Sequence, residues 1–403
     1  TGRRVAVIEA KDRTGGRVYT FRKNNLLVEL GAEFVHGNLP VTKALLKKAG
    51  AKLVPVKGSF WQHRDGQLGE QEDFIEDYHN LEKKMKALEV DKPVVQFLQQ
   101  DLAGEKWEQL RFSLKNYVEG YYAADTTRAS TKALCEELTT GDEEQFRVEG
   151  GYQVLINYLE EKCREKDVQV FLSQPVLQLQ WKEGEAVAVT EKGSFWARKV
   201  LLTVPLGVLQ NEGITFFPAL PVVKKAAQEL GFGHVIKLVM QFEDPFWKDR
   251  SLTDNKDLSD VGFLFSDETV PTWWTHHPKE DGVLIGWLGG PKAEMLHLLT
   301  KEELFSKAVY SLSRIFNLDV LHLEQKLVVA HYYNWSADQH FSGAYSYEVV
   351  NGEEAIRSLQ QPVHNTLFFA GEGLHTGPQM GTVEGALVNG RDAAHRLIAS
   401  FEH

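Results

Sequence analysis

An acidic residue and a glycine-rich turn follow the first apolar run of the chain. The run ends at Glu9, and the turn places Gly15 and Gly16 between Arg13 and Arg17. A carboxylate at the end of a strand can accept hydrogen bonds from ribose hydroxyls, and a backbone without side chains can approach a phosphate closely. The pattern therefore predicts a nucleotide-binding turn, with a surface turn carrying solvated arginines as the alternative.

A lysine interrupts the most apolar stretch in the middle of the chain. In residues 234–242 every second residue from Ile236 to Phe242 is apolar, and Lys237 shares the opposite face with valines. A lysine held among apolar side chains can take up or release a proton beside a reacting group. From the pattern alone, the favoured alternative is a lysine on a half-polar strand face.

The elements that position these residues alternate between helix and strand. Residues 5–8 predict a buried parallel strand, residues 41–49 a short helix, and residues 72–137 a helical subdomain rich in Glu, Lys, Leu and Gln. Helices are also expected over 150–166, 301–315 and 382–401, and strands over 168–172, 176–181, 186–190, 195–203, 235–242, 261–265, 273–275, 283–287 and 367–370. The four strands between 168 and 203 are expected to form a meander.

Composition excludes several classes of protein. The chain has 403 residues, with 45 basic and 56 acidic side chains that give a net charge of −11. This acidic balance disfavours nucleic acid as a partner. The two cysteines cannot form a disulfide framework or a cysteine-based zinc site, and they favour a reducing, cytoplasmic location. No uninterrupted apolar run is long enough to predict a membrane-spanning segment.

Three separated segments resemble, in the right order, the flavin-site motifs of the flavin-containing amine oxidases. The resemblance covers nearly the whole chain, and the polyamine oxidases and related histone-lysine demethylases form the most similar branch. The segments are residues 7–17 (VIEAKDRTGGR), residues 30–37 (LGAEFVHG), and residues 368–372 (FFAGE) with 381–386 (GTVEGA).

This resemblance implies an α/β fold with a Rossmann-like FAD-binding domain of the glutathione-reductase-like type. The second domain combines a mixed antiparallel sheet with the helical insertion and holds the substrate. Ala344 falls where the monoamine oxidases carry the cysteine bonded to flavin, so FAD is expected to be non-covalent. The expected segments are 1–65, 142–212 and 350–403 for FAD, and 66–141 and 213–349 for the substrate.

Carried over residue by residue, the motifs imply a set of cofactor-binding positions. Val176 resembles the position that contacts the adenine, residues 203–207 resemble the loop over the dinucleotide, and Glu372 resembles the acidic residue beside the pyrophosphate. The complete set is Glu9, Ala10, Arg13, Gly15, Gly16, Arg17, Gly31, Ala32, Glu33, Val176, Thr203, Pro205, Trp335, Gly371, Glu372, Thr382 and Val383.

Three residues are expected to act on the substrate. Lys237 resembles the lysine that holds a water beside flavin N5, and Tyr345 resembles one aromatic of the family's substrate cage. His36 resembles the histidine that positions polyamines. Thr382 stands where the second cage aromatic is expected, which is a departure from the family. The alternatives are core packing for the aromatics and a structural hydrogen bond for His36.

The implied reaction is oxidation of an amine C–N bond to an imine and then an aldehyde, with oxygen reduced to hydrogen peroxide. A polyamine-like substrate is expected. The alternatives are a monoamine or amino-acid oxidase of the same family, or a flavin-free scaffold. The G-x-G-x-x-G fingerprint of the family is absent from residues 1–403, and we expect the natural N-terminus to lie upstream. The oligomeric state is left open.

Overall fold

The protein is a mixed α/β structure, and the computed structural model describes residues 2–24, 26–72, 75, 77–140 and 144–401. The α-helices among these residues are α1 (Pro40–Lys48), α2 (Tyr78–Lys86), α3 (Val94–Gln100), α4 (Glu108–Asn116), α5 (Thr131–Thr140), α6 (Gln153–Arg164), α7 (Leu206–Gln210), α8 (Pro221–Glu229), α9 (Gly290–Leu296), α10 (Lys301–Phe316), α11 (Val320–Lys326), α12 (Glu353–Gln360) and α13 (Val383–Ala399). The β-strands are β1 (Ala6–Ile8), β2 (Thr20–Lys23), β3 (Leu26–Glu29), β4 (Phe34–His36), β5 (Leu53–Pro55), β6 (Ser59–Arg64), β7 (Gln67–Gln71), β8 (Gln145–Val148), β9 (Gln169–Phe171), β10 (Val176–Lys182), β11 (Glu185–Thr190), β12 (Gly193–Ala197), β13 (Val200–Leu202), β14 (Thr215–Phe217), β15 (Gly231–Phe232), β16 (Val235–Phe242), β17 (Val261–Ser266), β18 (Thr272–Thr275), β19 (Val283–Gly289), β20 (Leu327–Asn334), β21 (Ser346–Tyr347) and β22 (Leu367–Phe369).

The chain divides into two compact units, each built from separate segments. Unit 1 comprises Thr1–Val54, Ala133–Phe232 and Asp338–His403, and unit 2 comprises Pro55–Lys132 and Gly233–Ala337. The expected domains have other bounds, since 213–232 and 338–349 belong here to unit 1. One physical reason is that β15 pairs with β21 in a small antiparallel sheet within that unit.

The described residues of unit 1 contain three pairs of parallel strands, β1 with β9, β10 with β14, and β13 with β22. The expected parallel direction of the first strand is confirmed, but its expected burial is wrong. Val5 is 51% exposed and Val7 is 40% exposed. Within the described part of the chain, β1 is hydrogen-bonded to β9 alone, so its valines lack a covering layer.

The expected meander is correct only for its middle strands. β10, β11 and β12 form antiparallel neighbours, whereas β9 pairs with β1 instead. The expected strand over 195–203 is two strands, because β13 leaves the meander and pairs with β22. The polar pair at 198–199 separates them, and Lys199 donates to Asn365 and to Ser400 beside β22.

Unit 2 is organised around a mixed sheet with the order β20-β16-β19-β18-β17-β6-β7 among its described residues. Helix α10 supplies Leu304, Ala308 and Leu312 to the core of this unit, where they pack with Trp273. The expected helical segment is confirmed as α2 to α5, with a π-helix at Tyr117–Tyr121. None of the described helices combines the length and the apolar character needed to cross a membrane.

Candidate active site

A cleft of about 320 Å³ lies at the carboxyl ends of β13 and β22 in unit 1. We call it the β13–β22 cleft. Among the predicted cofactor residues, Arg17, Pro205, Gly371 and Glu372 line it together. Ligands of open α/β sheets bind at this end of parallel strands, because the loops that follow the strands can enclose them there. The sequence therefore located four residues, distant along the chain, at one site.

A buried ion pair joins three segments at this cleft. Arg17 donates from Nη1 to Glu372 Oε1 at 2.5 Å and to the carbonyl oxygen of Ala344 at 2.6 Å. Glu372 is 4% exposed and also accepts from the backbone N–H and the hydroxyl of Ser346. The pair fixes the turn after β1, the chain before β21 and the loop after β22 against one another.

Two glycines, Gly207 and Gly371, shape the surroundings of this cleft in different ways. A Cβ at Gly207 would lie 2.6 Å from the carbonyl oxygen of Phe341 and 2.7 Å from that of Ser342, so no larger residue fits. A Cβ at Gly371 would instead point into open space, and the backbone there has φ 155°. The bare backbone of Gly371 is thus presented to the β13–β22 cleft.

The glycine-rich turn has internal contacts that hold its shape. Arg13 donates to the carbonyl oxygens of Gly16 and Val18, and its guanidinium lies 3.9 Å from the ring centroid of Tyr19. Gly15 has φ 93°, and a Cβ there would lie 2.9 Å from the Val18 carbonyl oxygen. Arg13 is therefore engaged with the turn itself, whereas Arg17 lines the cleft.

The carboxylate at the end of β1 also engages its own turn, because Glu9 Oε1 accepts from the backbone N–H of Lys11 at 2.8 Å. Ala10, the next residue, is half-buried. Val176 is half-buried at the start of β10, and Thr203 is exposed directly after β13. These four predicted cofactor residues lie at or beside strand ends in unit 1.

The predicted motif at 30–37 forms a short strand and its approach. The backbone N–H of Ala32, which follows Gly31, donates to the Arg17 carbonyl oxygen at 3.0 Å. Glu33 is buried, and its Oε1 accepts from Arg147 Nε at 2.9 Å. His36 ends β4, which pairs with β8. Burial lowers the pKa of His36 to about 4, although the Glu33 carboxylate opposes this shift.

The C-terminal motif forms the start of helix α13. Thr382 is its N-cap: its hydroxyl accepts from the backbone N–H of Gly385 and donates to the carbonyl oxygen of Gln379. Val383 is the first helical residue. The departure at Thr382 therefore has a structural reason, because a threonine oxygen satisfies a helix N–H that an aromatic side chain would leave without a partner.

Lys237 is fully buried on β16 of unit 2. Its Nζ lies 5.1 Å from the ring centroid of Trp274 and 6.0 Å from that of Trp287. Both faces of β16 are covered, so the alternative of a half-polar strand face is wrong. Burial of an ammonium without a partner costs free energy, and the faces of indole rings attract an ammonium. The two tryptophans are therefore suitable neighbours for a lysine at this buried position.

The two predicted aromatics lie in different units. Trp335, in unit 2, is 3% exposed, donates its backbone N–H to the Val235 carbonyl oxygen, and has its ring 4.2 Å from that of Tyr333. Tyr345, in unit 1, is half-buried. A Cβ at Gly381 would lie 2.6 Å from the Ser346 carbonyl oxygen, so the glycine allows its segment to approach the residue that follows Tyr345.

Sequence reasoning missed a second cleft of about 320 Å³, which we call the Glu119 cleft. Its lining includes Glu119, Gly120 and Lys292 of unit 2. Burial raises the pKa of Glu119, an effect that Lys115 opposes, and burial lowers the pKa of Lys292, an effect that Glu119 opposes. The π-helix that contains Glu119 is a signal visible only in the structure, since such helices are frequent at functional sites.

The Glu119 cleft is joined to the surroundings of Lys237. Trp287 donates from Nε1 to the Gly120 carbonyl oxygen at 2.8 Å, and the other indole contact of Lys237 is Trp274. The Trp287 indole thus contacts both Lys237 and the backbone of Gly120, the residue that follows Glu119. This arrangement can hold a cation at one end and manage a proton at the other.

Residues 1–398 match the family described as flavin containing amine oxidoreductase, and the chain belongs to this family. Polyamine oxidase 2 of Arabidopsis thaliana is 28% identical over 97% of this chain and 82% of its own length. Lysine-specific histone demethylase 1 homolog 1 of Oryza sativa subsp. japonica is 31% identical over 58% of this chain, but this match spans only 27% of the demethylase.

A solved structure of putrescine oxidase bound to putrescine has the same fold. It has a TM-score of 0.74 at 22% identity and covers 99% of this chain and 94% of its own. The expected family, fold class and FAD cofactor are confirmed, and the chain is a flavin-dependent amine oxidase. The individual roles of the predicted site residues stay predictions.

The residues of unit 1 fit part of FAD. The β13–β22 cleft offers a bare glycine backbone, the cationic side chain of Arg17 and apolar walls from Leu206 and Phe369. A phosphate-bearing, partly apolar group is compatible with this donor set, because backbone approach and positive charge are what bound phosphates require. The fit rests on the carboxyl ends of two parallel strands, the position that such cofactors occupy in open α/β sheets.

We expect the His36 imidazole to be neutral at neutral pH, because burial lowers its pKa to about 4. An unfolded histidine titrates at about pH 6.5, so between about pH 4 and that value the unfolded chain binds more protons. His36 therefore lowers the free energy of unfolding as pH falls through this window. Histidine ring NMR signals, assigned with His36→Gln, would measure the pKa, and a midpoint of about 6.5 would contradict the expectation.

Proposed function

We propose that this protein oxidises a C–N bond of polyamines or diamines, with non-covalent FAD and with oxygen as the electron acceptor. The amine loses two electrons and two protons and becomes an imine, and O2 takes up both to become H2O2. Water then hydrolyses the imine to an aldehyde and an amine. The observation that carries the substrate class is the half-buried Glu119 carboxylate in a cleft of unit 2.

We assign the cofactor to unit 1, where Arg17, Gly371 and Glu372 would hold it at the β13–β22 cleft. When bound, FAD supplies the two-electron oxidation. Ala344 supports non-covalent binding, because its methyl group has no sulfur with which to form a thioether. The Arg17 contact with the Ala344 carbonyl oxygen keeps this segment beside the cleft.

Proton handling is assigned to Lys237. Its Nζ, buried beside two indole rings, can hold a water molecule at a fixed position and pass a proton through it. A neutral amine is the reactive form, since its nitrogen lone pair must assist loss of the hydride. Because bulk water would compete for the same proton, the burial of Lys237 supports this role.

Substrate placement is assigned to His36 and Tyr345, and Trp335 is assigned to the binding of the cofactor. A neutral His36 can accept a hydrogen bond from an amine N–H at neutral pH, which a protonated ring could not do. The face of the Tyr345 ring attracts cationic or partly positive amines. Glu119 would bind the far ammonium of a longer substrate, and the charge gained there would offset the cost of burying its carboxylate.

The alternative functions are distinguished by the residues that each would require. An amino-acid oxidase needs an arginine for the substrate carboxylate, and residues 31–40 contain none. A monoamine oxidase has no use for a second anionic subsite such as Glu119. The names polyamine oxidase 2 and putrescine oxidase support a substrate with more than one amine. A flavin-free scaffold would not explain why Lys237 is buried.

The absorption spectrum of the purified protein tests this proposal. We expect a flavin spectrum that bleaches when spermidine is added without oxygen, because hydride transfer reduces the cofactor. Acid denaturation should release the flavin, since no covalent bond holds it. A flavin spectrum that spermidine leaves unchanged would contradict the substrate class, and the lack of flavin after addition of FAD would contradict the cofactor assignment.

The variant Glu119→Gln tests the substrate class, with benzylamine as the control substrate. The variant keeps the side-chain volume and removes the charge, so half-bleaching should need at least about tenfold more spermidine, a change of about 1.4 kcal/mol. Bleaching by benzylamine, which has one amine, should be unaffected. Equal loss for both amines would show that Glu119 has only a structural role.

We also expect Lys237→Met to slow one half-reaction by at least about a hundredfold, in the range that positioned proton-transfer groups contribute. Methionine has a similar length and suits the indole surroundings, so circular dichroism should be unchanged. Stopped-flow absorption measures flavin reduction by the amine and reoxidation by oxygen separately. Unchanged rates in both half-reactions would contradict the role assigned to Lys237.

A further inference from the structure

Three metal-ligating side chains converge at the end of two neighbouring strands of unit 2. His63 lies near the end of β6, and Asp267 and Glu268 directly follow β17. The two strands are parallel neighbours, and His63 is in register with Ser266, the residue before Asp267. One ligand atom from each of the three side chains lies within 4.8 Å of the others.

The histidine of this cluster is buried with a ring nitrogen directed into it. His63 is 3% exposed, and its Nδ1 is buried without a hydrogen-bond partner. The nearest carboxylate oxygen, Asp267 Oδ1, lies at 3.5 Å. By contrast, His276 Nδ1 lies 2.7 Å from Asp281 Oδ2, which is an ordinary hydrogen bond. The His63 cluster therefore has room for an atom between its ligands.

The spacing matches a metal ion. Ligand atoms bonded at about 2.1 Å to a tetrahedral ion lie about 3.4 Å from one another. The 3.5 Å between His63 Nδ1 and Asp267 Oδ1 agrees with this value. An imidazole nitrogen with two carboxylate oxygens is a donor set that Zn²⁺ accepts, and the two carboxylate charges balance the charge of the ion.

We propose that His63, Asp267 and Glu268 form a Zn²⁺ site with water as the fourth ligand. The cationic side chains of Arg314 and Lys292 near Glu268 leave its carboxylate able to bind a metal ion. Arg314 Nε lies 3.6 Å from Glu268 Oε1, but its side chain is 57% exposed and can turn into solvent. Lys292 donates to the backbone carbonyl oxygen of Glu268, which leaves the Glu268 carboxylate available to the metal.

The site would join β6 to the end of β17. Phe265, on β17, and Lys292 both line the Glu119 cleft, so the metal would stiffen one wall of that cleft. This role is structural and does not depend on the oxidase reaction. It predicts that Zn²⁺ raises the thermal unfolding midpoint, because an ion bound only by the folded chain stabilises it.

Calorimetric titration of the tag-free, FAD-loaded protein with Zn²⁺, after treatment with a chelator, tests the proposal. We expect one Zn²⁺ per chain and an increase in the unfolding midpoint. Asp267→Asn and His63→Gln should each weaken this binding at least about tenfold, since loss of a ligand removes a metal bond. His276→Gln is the matched control, because it removes a buried histidine from a carboxylate pair, and it should bind Zn²⁺ like the wild type.

Two results would overturn the site: no stoichiometric binding of Zn²⁺, or equal binding by the wild type, Asp267→Asn and His63→Gln. If His63→Gln fails to fold, Asp267→Asn decides the question, because the Asp267 side chain is 40% exposed and its replacement leaves the core intact.

Discussion

The buried ion pair between Arg17 and Glu372 is the interaction on which the cofactor region depends. It joins residues separated by 355 positions, and the same guanidinium holds the Ala344 carbonyl oxygen. The Glu372 side chain is 5% exposed, so removal of Arg17 would leave a buried carboxylate without its cation, at a cost of about 3–5 kcal/mol. The turn after β1 and the loops around the β13–β22 cleft would then lose their common anchor.

In unit 2, a lysine side chain is buried inside a sheet. Lys237 lies on a strand that is covered on both faces, with indole rings of β18 and β19 near its Nζ. The same unit carries the Glu119 carboxylate in a cleft. Under the proposed function, Lys237 would move protons and Glu119 would bind the second ammonium of a polyamine substrate.

The sequence predicted what depends on local pattern and on family motifs. The strand that carries Lys237, the helix that begins at Thr382 and four residues of the β13–β22 cleft all follow from such signals. The sequence could not predict which residues, distant along the chain, the fold brings together. Glu119 lies four residues after Lys115 in a charged helical segment, where the sequence does not distinguish a carboxylate in a cleft from one on the surface. The His63 cluster depends on the register of two strands far apart in the chain.

The most direct test of this account is the dissociation constant of FAD, measured by flavin fluorescence on apoprotein of the wild type and of Glu372→Gln. The exposed Arg357–Glu353 pair supplies the control, Glu353→Gln. We predict that Glu372→Gln weakens FAD binding at least about tenfold, or about 1.4 kcal/mol, while Glu353→Gln binds like the wild type. Equal dissociation constants for all three proteins would contradict the claim that the Arg17–Glu372 pair shapes the cofactor site.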